Sequence, residues 1–94
     1  MKERVIFRIE KDKYRGADNI LAIFPDITAN PGRYACIPFF FKNDKPVFEP
    51  FCEADINYLL NCKIIHKNNP MAKRALSAIE SYLGENYRIM ERIV

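Results

Sequence analysis

Residues 4–11, RVIFRIEK, alternate along the chain. Val5, Phe7 and Ile9 fall on one face and Arg4, Ile6, Arg8 and Glu10 on the other, the period-two pattern of a half-buried strand. Residues 12–19, DKYRGADN, are polar around Gly16 and read as a hairpin-type loop. The apolar run ILAIF (20–24) predicts a central strand, which Pro25 ends because proline cannot donate to the ladder. PDITANPGR reads as a longer turn. RYACIPFFF (33–41) predicts a third strand, with Pro38 placing its end at a sheet edge or a bulge. KNDKP (42–46) is a turn. VFEPF (47–51) is extended, since Pro46 and Pro50 restrict the residues before them.

From Asp55 the period changes. Ile56, Leu59, Leu60 and Ile64 recur at helical spacing, and Asp55 is a suitable N-cap. A strand over CKIIH (62–66) is the alternative. The next helix is marked by Asn69 at the N-cap and Pro70 at the first helical position. Its buried stripe is Ala72, Ala75, Leu76, Ile79 and Leu83, and Gly84 is placed to stop it in a left-handed turn. YRIMERI (87–93) alternates again and predicts a last strand. The order β-β-β-α-α-β implies a single α+β domain over 1–94, an antiparallel β-sheet of about four strands with two helices packed on one face.

Ninety-four residues at 49% hydrophobic content suit one globular domain that needs neither disulfide nor metal to fold. No apolar run approaches the roughly 20 residues that span a membrane, and no signal core follows the N-terminus. Three cysteines without a CxxC pair are read as reduced thiols, so a cytoplasmic location is expected. A net charge of +3 permits an acidic partner without demanding one.

VIFR near the start, ILAIFPDI, and a Pro/Gly turn into RYAC, with ENYRIMERIV at the end, resemble a group of small bacterial and phage-associated proteins. Those read VIFR, a short loop, IALFP(D/E)I, and then a tyrosine-bearing strand. The likeness is best over residues 5–8 and 20–27, and the Phe-rich segment 38–53 departs from it. It implies a compact α+β domain of mobile-element type and transfers no catalytic residue.

Candidate chemistry is sparse. Cys62 and His66 lie four apart and would share a helix face, with Cys36 and Cys52 completing a zinc set. The ligands are scattered rather than in tight knuckles, so buried thiols are the simpler reading and no metal is expected. A Cys62–His66 thiolate pair would make an enzyme only with an exposed cysteine of depressed pKa, and no catalysis is expected. Glu49, Glu53 and Asp55 cluster, but Glu53 and Asp55 suit a helix N-terminus better than a catalytic pair. The three glycines form no phosphate-binding fingerprint, so no cofactor is expected.

Two surfaces compete for function. Five of seven phenylalanines fall in PFFFKNDKPVFEPF (38–51). They either cover one another internally or leave Phe40, with Phe48 or Phe51, as an aromatic patch for a protein partner or a second copy. Alternatively, if the last strand pairs with the first, Arg4, Arg8, Arg88 and Arg92 line one open sheet face that could take a nucleic-acid backbone. The expected function is a small non-catalytic binding or accessory module acting through protein contacts, with nucleic-acid association as the alternative.

Overall fold

The computed structural model describes residues 5–11, 17–27 and 30–85. The chain runs β1 (Ile6–Glu10), β2 (Asn19–Phe24), β3 (Arg33–Lys42), β4 (Lys45–Phe48), β5 (Cys52–Asp55), α1 (Ile56–Asn61), β6 (Lys63–Ile64) and α2 (Pro70–Glu85). All described strands belong to one antiparallel sheet in the order β4-β3-β2-β1-β6, with β5 also on β3. The α+β class is as expected, but the sheet has six strands rather than about four. The neighbour of β1 on the outer side is β6; the strand expected at 87–93 lies outside the described residues.

The ten-residue strand β3 organises one half of the sheet. It pairs with β2 along one edge and with β4 and β5 in succession along the other. The β3–β4 turn has only two residues, Asn43 and Asp44, both left-handed at φ 52° and 63°. Asn and Asp tolerate that conformation best after glycine, and the resulting tight turn matches the twist of paired strands. Phe39 faces Phe48, whereas Cys36 faces Cys52. Three steps along β3 thus match four along its partner, so one extra residue is accommodated between β4 and β5. This is a bulge at Glu49–Phe51. Glu49 N–H donates to the Pro38 carbonyl at 2.9 Å. Pro38 has no N–H to return, so its place opposite the bulge removes a donor where the regular ladder is broken.

The bulge decides where the phenylalanines go. Phe48 and Phe51 are three apart and would point to opposite faces of a regular strand. The extra residue resets the alternation, and both pack on the same side as Phe39 and Phe41.

That side is covered by α2. Ile20, Ala22, Phe24, Ile27, Ala35, Ile37 and Phe39 from the sheet meet Ala75, Ala78 and Ile79 of the helix. Asn69 caps α2, its Oδ1 accepting from Met71 N–H at 2.9 Å, and Pro70 opens it. The helix runs through Gly84 to Glu85, so Gly84 does not stop it. Leu76, expected in the buried stripe, is 40% exposed.

The second helix is on the opposite face, which corrects the expectation of both on one. Leu59 of α1 packs with Leu21, Ile23 and Cys36, the residues that alternate away from α2. The cause is the route of the chain. It leaves β5 at one side of the sheet and must reach β6 beside β1 at the other, so it crosses the free face. The helix and strand readings of residues 55–66 are both realised, in succession. Only Leu59 of the expected stripe is buried, while Leu60 and Ile64 are exposed.

Candidate partner-binding surface

The Phe-rich segment is mostly an internal brace. Phe39 is fully buried, and its ring centroid lies 5.0 Å from Phe48 and 5.8 Å from Phe41, edge-on to the latter. Phe48 stacks on Tyr82 of α2. Arg74 places its guanidinium 4.3 Å over the Phe41 ring and meets the Asp44 carboxylate at 3.4 Å, tying the hairpin tip to the helix. Phe51 packs against the same cluster. Of the three phenylalanines proposed from the sequence as partner contacts, only Phe40 points away from α2. It is half-buried and directly opposite Val47, which is 39% exposed.

The arginine face is likewise built differently from expectation. Arg4, Arg88 and Arg92 lie outside the described residues. Arg8 is on the sheet face that α1 covers, and its Nη1 donates to the Leu60 carbonyl at 3.3 Å and the Cys62 carbonyl at 3.0 Å. A cation there satisfies carbonyls that a helix C-terminus leaves without partners and complements its dipole. Arg8 is half-buried in this role.

Cys62 and His66 do not share a helix face, because α1 ends at Asn61 and His66 follows β6 in an exposed loop. The Cys62 thiol donates to the Tyr58 carbonyl at 3.5 Å. Burial pushes all three thiols above the ordinary range, which disfavours a resting thiolate. Among the described residues no group of three or more His, Cys, Asp or Glu side chains is placed to hold a metal ion. Asp55 accepts from Asn57 N–H and Tyr58 N–H at 2.8 and 3.2 Å as the N-cap of α1, and Glu53 accepts from Asn30. These two carboxylates are accounted for structurally.

The surface that the sequence did not reveal lies at the β6 edge. Ile6, Ile64 and Leu76 are 37%, 48% and 40% exposed, and they line a groove of about 380 Å³ at the β1–β6 edge, the first two from the α1 face of the sheet and Leu76 from α2. Val5, Phe7 and Ala72 form its less exposed floor, and among the described residues its charged lining is Arg8, Lys67 and Lys73. Leu60, 57% exposed, adjoins it through the carbonyl that Arg8 holds. Helical periodicity assigned Leu60, Ile64 and Leu76 to buried stripes, and strand alternation gave Ile6 to the polar face. The one available signal was the competing strand reading of CKIIH, which puts Ile64 on a sheet edge.

No protein-family model, curated protein or solved structure matches the chain. Among the described residues no helix is long and apolar enough to cross a membrane.

Proposed function

We propose that this protein is a small non-catalytic binding module of mobile-element type that docks a protein partner in the β6-edge groove. The observation that carries the reading is that Ile6, Ile64 and Leu76 line one groove at the β6 edge whose charged lining, among the described residues, is cationic. Exposed aliphatic side chains gathered around a groove mark an interaction surface more often than scattered ones do. The all-cationic lining selects the partner chemistry: a segment with apolar anchors flanked by Asp or Glu.

The test uses two fluorescein-labelled amphipathic peptides with the same leucine spacing, one flanked by glutamates and one by lysines. Fluorescence anisotropy should show saturable binding of the acidic peptide only, weakened by salt and lost in Ile64→Ser and Leu76→Ser. Equal binding of both peptides, or none, would overturn the reading. Size-exclusion chromatography with light scattering, read at 260 and 280 nm, separates the other occupants. A dimer dispersed by Ile64→Ser would make the partner a second copy, and co-migrating nucleic acid would favour the backbone-binding alternative.

A further inference from the structure

Cys36 and Cys52 are directly opposed across the β3–β5 ladder. Ile56 N–H donates to the Gly32 carbonyl at 3.0 Å one register step beyond β5. Counting in twos from that pair makes Cys36–Cys52 a hydrogen-bonded pair, for which the Cα separation is about 5.5 Å. That lies in the centre of the range a disulfide spans.

We propose that Cys36 and Cys52 form a reversible disulfide, making the β3–β5 ladder an oxidation site. The two positions have complementary roles. Cys52 is exposed and meets the oxidant, whereas Cys36 is buried beneath Leu59 of α1 and has only to reach its neighbour. With a low-molecular-weight disulfide, R–S–S–R, as oxidant, Cys52 loses its proton and attacks one sulfur. The S–S bond breaks and the first thiolate departs, to be protonated as R–SH. Cys36 then loses its proton and attacks the Cys52 sulfur of the mixed disulfide, expelling the second R–SH. Two protein thiols are oxidised by two electrons and one external disulfide is reduced. Side chains of a hydrogen-bonded pair stand farther apart than those of a non-hydrogen-bonded one, so the bond carries some strain and is readily reduced again. It closes a loop containing the β3–β4 turn, β4 and the bulge, and it ties β5 to the strand that underlies α1. Burial raises both thiols, so formation accelerates with pH across the neutral and mildly alkaline range.

The test treats the native Cys62→Ser protein with glutathione disulfide, quenches in acid, alkylates and reads intact and peptide mass. The expected product has lost two hydrogens and yields a Cys36–Cys52 cross-linked peptide, with a raised thermal midpoint that dithiothreitol reverses. Cys52→Ser, a change at an exposed position, should abolish both. A glutathione adduct that persists on Cys52 without closing would overturn the proposal. So would a native chain left unmodified under conditions that cross-link the urea-unfolded one, because the register would then hold the sulfurs apart. In the wild type, a Cys52–Cys62 bond formed in preference would also overturn it.

Discussion

Phe48 of β4 stacks on Tyr82 of α2 with ring centroids 4.1 Å apart and planes inclined by 22°. The contact joins the end of β4, at the base of the β3–β4 hairpin, to the last turns of the helix, 34 residues later. Aromatic pairs of this kind add about 0.5–1.5 kcal/mol beyond the area they bury. Phe48→Ala and Tyr82→Ala should each lower stability by about 1–3 kcal/mol in urea unfolding, with a coupling of about 1 kcal/mol in the double mutant. Additive effects would show that the rings are neighbours without mutual stabilisation. Phe40→Ser, on the other face, should cost less than either, and it is the phenylalanine at which loss of association without loss of fold is the expected signature of a partner contact.

The six-residue helix α1 is too short to hold itself. It depends on Leu59 inserted into the sheet and on caps at both ends, Asp55 at the N-terminus and Arg8 at the C-terminus. Asp55→Ala and Arg8→Ala should each cost about 1–2 kcal/mol. The locality is the sharper readout. Hydrogen exchange should speed up in residues 56–62 and leave α2 unchanged. Uniform acceleration across the chain would mean that α1 and the sheet unfold as one unit.

The bulge makes a prediction in which two one-residue deletions part company. Pro50→Ala keeps the residue count and should change stability by less than about 1 kcal/mol. Deleting Pro50 removes the extra residue, so Phe51 follows Phe48 by two and stays on the α2 side while Cys36 still faces Cys52, and the ladder should be kept. Deleting Val47, inside β4, instead carries Phe48 to the place opposite Phe40 and away from Tyr82, at about 3 kcal/mol or more. Equal behaviour of the two deletions in thermal melts would refute the assigned register.

How far these features were legible follows from their physics. β1, β2 and β3 were readable because alternation and proline placement are local properties. The α2 start was readable because Asn69 and Pro70 fix it within two residues. The bulge was hinted at by Pro38 but not located, since only the pairing of Phe39 with Phe48 and Cys36 with Cys52 shows the extra residue. The placement of α1 was not legible, because the side of the sheet it covers depends on which edge β6 joins. Arg8 illustrates the consequence: strand alternation put it correctly opposite Phe7, yet its partners are carbonyls 52 and 54 residues away. The groove was missed for the same reason, being assembled from three elements whose individual patterns each assign its residues elsewhere.

The buried thiols also set an alkaline limit on stability. The Cys36 thiol is raised far above its ordinary range, first by burial and then by the neighbouring Cys52. The folded state therefore favours the neutral thiol, and the unfolded chain releases that proton at lower pH. The contribution to stability is fully present below the unfolded value of about 8.5 and is lost as pH rises above it toward the folded value. The slope approaches about 1.4 kcal/mol per pH unit for one such group. Urea unfolding of the reduced protein from about pH 7 to pH 10 should show this loss, and Cys36→Ala, though less stable at neutral pH, should show a shallower decline. Lysines and tyrosines exposed in both variants contribute equally and cancel in the comparison. Parallel pH profiles for the two proteins would mean that the Cys36 thiol ionises as easily folded as unfolded, which its burial beneath Leu59 forbids.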